Sequence, residues 1–264
     1  MVSTRSIIFM AISVLVSIGL PLGLFLFFKK RFGLKVVPML VGMGSFIVFA
    51  LILESLVHQI VLRPAADGTI GLTNNPLLFM LYASFAAGIF EETGRFLSFL
   101  LLKKKYSGIG TGLSYGIGHG GIEAILLCGL SMAGNLVLSL IINTKTVAVL
   151  GDSPQILAAL ETLKDTNSFL FLVSGLERVF VVAIHISLSI LVWLAVNSAG
   201  KKWLYLVAIV LHAIVDMPAA LMQAGVLTNV LWVELLVAAS AVALVAIAIS
   251  AYRRYEQKED LPCI

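Results

Sequence analysis

Residues Pro76–Leu102 read PLLFMLYASFAAGIFEETGRFLSFLLL. At about 1.5 Å per residue, a helix of this length crosses the roughly 30 Å hydrocarbon core of a bilayer. Both flanks are apolar, yet the stretch carries Glu91, Glu92 and Arg95 inside the span. Hydrocarbon does not solvate such groups, so the helix must turn that face toward other protein. The segment therefore reads as one member of a transmembrane helix bundle.

The rest of the chain agrees. Of 264 residues, 60% are hydrophobic and 12% charged, against about 25% charged in a soluble domain. The apolar residues fall in long runs with short polar breaks. This argues for a polytopic membrane protein and against a soluble enzyme, a secreted disulfide scaffold, a disordered chain or a nucleic-acid binder. Cys128 lies in an apolar span and Cys263 in the tail, so no structural disulfide is expected. Cys263 has only one residue after it, so no prenylation box is expected. The run from Ser6 to Phe28 is longer than a signal peptide's apolar region. It ends in Lys29, Lys30 and Arg31, a stop-transfer cluster.

Seven spans are expected in one all-α integral membrane domain over residues 1–264. They cover about 6–28, 36–62, 76–102, 108–142, 168–199, 203–223 and 230–251, with a tail at 252–264. The fourth and fifth are long for a single crossing. Tilting, protrusion or breaks at Gly116, Gly118, Gly120 and Gly121 would accommodate them. Lys and Arg between and beyond the spans number twelve on one side and four on the other, alternating loop by loop. The four are Arg5, Arg63, Lys145 and Lys164. The bias predicts an N-terminus outside and a C-terminus inside. The loop from Asn143 to Asn167 contains Pro154–Lys164, whose apolar spacing suggests a short helix on the bundle surface or a lid.

Ionisable residues at membrane depth are costly and functional by default. Here they are Glu54 and His58, Glu91, Glu92 and Arg95, His119 and Glu123, Glu177, Arg178 and His185, and His212 and Asp216. Glu91 and Arg95, His119 and Glu123, and His212 and Asp216 are each four apart, so each pair shares a helix face. Counted from the inner span ends, Glu91 and His119 lie roughly 17 Å deep, His212 about 14 Å, Asp216 about 20 Å and His185 about 21 Å. Glu54, His58 and Glu177 lie nearer the outer face. Glu54 with His58 reads as a polar contact there, and Glu177 with Arg178 as a neutralising pair. Tyr115 is either core or cavity lining.

Imidazoles and carboxylates at one depth suit a divalent metal such as zinc. A catalytic zinc keeps an open position for water, lowers its pKa to about 7, and works with a nearby carboxylate as base. The implied chemistry is hydrolysis within the bilayer. Other functions fit the same groups: a proton-coupled transporter, a haem or quinone redox protein, or a catalytically silent scaffold. No inverted repeat supports a transporter, and the carboxylates four residues from His119 and His212 do not suit a haem.

Glu91-Glu92-Thr93-Gly94-Arg95 resembles the first motif of the CAAX-protease and bacteriocin-processing superfamily. Tyr115-Gly116-Ile117-Gly118-His119 resembles its aromatic-xxx-His motif, and His212-Ala213-Ile214-Val215-Asp216 its closing His-xxx-Asn/Asp motif. Gly118-His119-Gly120-Gly121-Ile122-Glu123 and Glu177-Arg178 before His185 look most like the YhfC branch, a family of intramembrane metalloproteases. The resemblance implies an endopeptidase that hydrolyses a membrane-anchored peptide or protein. Under it, Glu91 is the base, with Glu92 and Arg95 as supporting groups. His119, His212 and Asp216 hold the metal, joined in this branch by Glu123 and His185. Tyr115, Glu177 and Arg178 support the site. The sequence departs from the prenyl-protease pattern in three ways: its arginine is one residue nearer the glutamates, the aromatic is Tyr115, and the last position is Asp216. A bacterial plasma membrane is the expected location.

Overall fold

The computed structural model describes residues 1–64, 70–144 and 154–259. Lys145, most of the loop before Pro154, and Cys263 lie outside them. Among the described residues there is no β-strand. The helices are α1 (Thr4–Phe32), α2 (Val36–Val61), α3 (Pro76–Leu102), α4 (Ile109–Asn143), α5 (Pro154–Asp165), α6 (Ser168–Asn197), α7 (Trp203–Gln223) and α8 (Val230–Glu259).

Six of these, α1, α2, α4, α6, α7 and α8, are long and apolar enough to cross a membrane. The seventh long helix, α3, has 27 residues and carries Glu91, Glu92 and Arg95. Together they form an integral membrane bundle of about seven spans. The last helix runs on to Glu259, so much of the stretch expected as a tail is helical.

Local chemistry sets the helix ends. Ser3 accepts a hydrogen bond from the Ser6 amide at the start of α1. Asn75 caps α3, whose first residue is Pro76, and Asn167 caps α6. Such oxygens satisfy amides that have no partner within the helix. Gly33 ends α1 in the left-handed conformation, φ 64°. The short helix α5 is present, and its Leu160 and Leu163 are buried in a cluster with Met10, Ile142 and Phe171.

The long fourth span, α4, is one continuous helix of 35 residues. The glycines of α4 do not break it. The helix continues through them and widens into π-helical turns at Ala124–Gly129, directly after Glu123. A similar widening in α2 covers Ile47–Glu54 and ends on Glu54. Such turns insert a residue into the ladder and often mark functional sites.

Helix α6 is the centre of the bundle, packing on α1, α4, α8, α3 and α7. Between helices in lipid, close packing replaces the hydrophobic effect as the attractive force, so small residues mark the contacts. A Cβ at Gly116 would lie 2.6 Å from the Ile186 Cα, and one at Gly88 would lie 2.8 Å from the Ile209 carbonyl oxygen. These two glycines let α4 meet α6 and α3 meet α7. The histidines carried by α4, α6 and α7 are thereby drawn to one point. Beneath them, toward the basic end, lies the main apolar core of Phe99, Tyr115, Leu188, Val192, Trp193 and Leu244.

Candidate metal centre

Four helices deliver the site. Helix α3 supplies Glu91, Glu92 and Arg95, α4 supplies His119 and Glu123, α6 supplies His185 with Glu177 and Arg178, and α7 supplies His212 and Asp216. Glu92, Arg95 and His119 are fully buried, and Glu91, His185 and His212 nearly so.

One oxygen is the hub. Glu91 Oε2 lies 2.8 Å from His119 Nε2, 3.8 Å from His185 Nδ1 and 3.9 Å from His212 Nε2. The ligand atoms of Glu91, His119 and His185 all lie within 4.8 Å of one another. A tetrahedral zinc with bonds of about 2.0–2.2 Å separates its donors by about 3.4 Å. The spacings around Glu91 bracket that value, and the donors are the nitrogen and oxygen types that such an ion prefers. Glu91, His119 and His185 can therefore hold a metal ion. His119 Nδ1 has no hydrogen-bond partner, and the ring lies between Phe46 and Tyr115, with centroids 5.3 and 5.9 Å away.

A second layer orients these groups. Arg95 Nη1 donates to Glu92 Oε1 at 2.6 Å, and His212 Nδ1 donates to the same oxygen at 2.7 Å. With its Nδ1 proton fixed by a carboxylate, His212 presents the Nε2 lone pair toward Glu91 and toward Asp216 Oδ2 at 3.4 Å. A carboxylate behind a histidine is the usual support for a ligating imidazole. Arg95 Nη2 also donates to His185 Nδ1 at 3.1 Å. His185 Nε2 faces Glu123 Oε2, 2.5 Å away, while Nδ1, the atom turned toward Glu91, would exchange its arginine contact for a metal bond. Glu123 in turn faces Arg178 Nη1 at 3.4 Å, and Arg178 Nη2 pairs with Glu177 at 2.6 Å. Arg95 and Arg178 thus bracket the cluster and offset its carboxylates.

A cavity of about 140 Å³ opens from the hub between α6, α7 and α8. Glu91, Glu123, His185, His212 and Asp216 border it, with Val181, Ile184 and Val237 as apolar walls. It has room for several waters, and its lining offers carboxylates and imidazoles to bind them. Asp216 has the most exposed carboxylate of the cluster, at 35%.

All eleven residues to which the resemblance gives a role lie at or beside this centre, but several pairings differ from those that spacing suggests. Arg95 pairs with Glu92, three residues away, rather than with Glu91. His119 and Glu123 share a helix but bond different partners, Glu91 and His185. Tyr115 is fully buried, against Phe99 and the His119 ring. The sequence places Glu54 with His58 in a polar contact near the outer face. Glu54 does bond His58 at 3.1 Å, and His58 Nδ1 lies 2.7 Å from the Tyr82 hydroxyl. Glu54 itself is buried, at the end of the π-helical turns of α2.

Comparison with known proteins agrees with this geometry. Residues 12–237 match the YhfC intramembrane metalloprotease family. A Bacillus subtilis (strain 168) protein described as uncharacterized membrane protein YhfC is 38% identical over 242 residues, covering 90% of this chain and 93% of that protein. No solved structure matches the chain. The buried carboxylate–imidazole centre thus sits within the matched region, and the chain belongs to the YhfC intramembrane metalloprotease family.

Proposed function

We propose that the protein is a metal-dependent endopeptidase of the bacterial plasma membrane, with its N-terminus outside. Its substrate would be a membrane-anchored peptide or protein. The observation that carries this reading is the approach of three imidazoles to one Glu91 oxygen, deep in the bundle and beside a cavity with room for water. His119, His185 and His212, with Asp216, would hold a divalent ion, zinc by donor type. Bound there, such an ion would supply Lewis acidity and a water of lowered pKa.

The protein's own residues do the rest. Glu91 is the base that accepts the proton of the attacking water and returns it to the leaving amine. Glu92 keeps the proton of His212 on Nδ1. Arg95 holds Glu92 in place. Val181, Ile184 and Val237 limit water to the polar side of the cavity.

The close group of Glu91, His119 and His185 favours a second reading. In it Glu91 is a ligand, and Asp216, the most exposed carboxylate, takes the proton. Two variants separate the readings. Purified wild type, Glu91→Gln and Asp216→Asn are compared for bound metal and, in vesicles containing bacterial membrane proteins, for new peptide termini by mass spectrometry. If Glu91 is the base, Glu91→Gln keeps its metal and generates no termini. If Glu91 is a ligand, the metal is lost and Asp216→Asn is the metal-loaded, silent variant. Metal-loaded wild type that generates no new termini would contradict the peptidase proposal.

A further inference from the structure

A second cavity, larger than the one at the metal centre, shares no lining residue with it. Helices α1 and α8 both pack on α6 and leave between them a groove of about 940 Å³. Its walls are apolar, including Leu24 and Phe28 of α1 and Val245 and Ile249 of α8. Its floor is α6, with Ala183 and Ile186. At one end it is bordered by Arg31, Arg253 and Glu256.

Three observations define the occupant. First, the groove follows α1 from Leu20 to Phe32, about 18 Å of helix. One leaflet of hydrocarbon is about 15 Å deep, half the bilayer core. A spanning helix would need a groove twice as long, whereas acyl chains fit this one. Second, the charged end lies where the chain's other basic clusters gather, Lys29–Lys30, Lys103–Lys105 and Lys201–Lys202. Lys and Arg clusters at span ends sit at headgroup level, not at the bilayer centre. Third, neither Arg31 nor Arg253 forms an ion pair among the described residues, and both are exposed. Glu256 is engaged by the Tyr252 hydroxyl at 3.4 Å. Two guanidiniums against one carboxylate leave net positive charge at the mouth, and guanidinium matches a phosphate diester well.

We infer that this groove is a binding site for an anionic phospholipid, with its acyl chains along α6 and its phosphate between Arg31 and Arg253. The site stands independently of the peptidase reading. Its role would be to seal the seam between α1 and α8, which meet mainly through α6.

The test uses the full chain in detergent, with phosphatidylglycerol and phosphatidylcholine of the same acyl chains. Binding is followed by native mass spectrometry and thermal unfolding. Wild type should retain phosphatidylglycerol and melt at higher temperature with it than with phosphatidylcholine. Each guanidinium near an anionic surface is worth about a fivefold factor, so Arg31→Gln with Arg253→Gln should weaken phosphatidylglycerol about thirtyfold. Ala183→Phe, which fills the floor, should weaken both lipids. Lys103→Gln with Lys104→Gln, at the same end but outside the groove, should leave the preference intact. Equal binding of the two lipids by wild type would overturn the proposal. So would a preference that survives the arginine changes, or one that the lysine changes abolish. Glycerol phosphate that stabilises the protein as much as the lipid would also overturn it, because the acyl chains would then contribute nothing.

Discussion

The two halves of α4 are built on opposite rules. From Gly110 to Gly121 nearly every residue is buried, yet the segment is mostly glycine, serine, threonine, tyrosine and histidine. From Leu130 to Asn143 the helix is rich in leucine and isoleucine, yet only Ser139 and Ile142 are buried, and Leu130, Val137 and Leu140 are exposed. The π-helical turns at Ala124–Gly129 separate them. In a soluble protein the larger apolar residues would mark the core. Here they mark the lipid, and the interior is assembled from small and polar residues that let backbones approach and put His119 at the hub.

This contrast can be broken or sharpened by substitution. The largest stability effect should come from Arg95→Met. It leaves the fully buried Glu92 without its cationic partner, a loss of about 3–5 kcal/mol. A denaturant titration in mixed micelles measures it, and an unchanged midpoint would mean that Arg95 does not neutralise Glu92. Gly116→Val follows, because the added atoms meet the Ile186 backbone. Overpacking there should cost about 1–3 kcal/mol or more, and should displace His185 as α6 moves away. Glu92→Gln retains the shape but weakens the acceptor behind His212. Metal affinity should fall about 10–100-fold, read by competition with a chelating dye. Gly134→Ala lies in the lipid-facing half, where nothing is within 4 Å of the new methyl. It should be neutral or stabilise by up to about 1 kcal/mol, by reducing the backbone freedom of the unfolded chain. A destabilisation comparable with that of Gly116→Val would show that the two halves do not differ in the way described.

Much of the architecture is legible in the sequence, because a bilayer imposes one length and one polarity on every span. The apolar runs gave the helices of the bundle to within a few residues at most ends, and the exceptional residues inside them gave the members of the cluster. Partner choice was not legible. Four-residue spacing shows that Glu91 and Arg95 share a face, but two adjacent glutamates compete for the arginine. His212, arriving from α7, helps to fix Glu92 as its partner. His119 and Glu123 likewise share a face while serving two different neighbours. The burial of Glu54 was not legible either, because the π-helical turns of α2 that end on it follow no apolar spacing. Nor was the continuity of α4 through its glycines. Tight packing against α2 and α6 holds helical a segment whose local preferences would allow a break.

The central claim is that Glu91, with the imidazoles of α4, α6 and α7, forms a metal centre. Its most direct test is the metal content of chelator-free, detergent-purified protein, measured by mass spectrometry for wild type, His119→Ala and His212→Ala, with thermal unfolding to confirm that each is folded. The account predicts about one divalent ion per chain in wild type and its loss from both folded variants. Folded wild type without metal, still without it after incubation with zinc, would contradict the account. The convergence on Glu91 would then be a buried hydrogen-bond network rather than a ligand set.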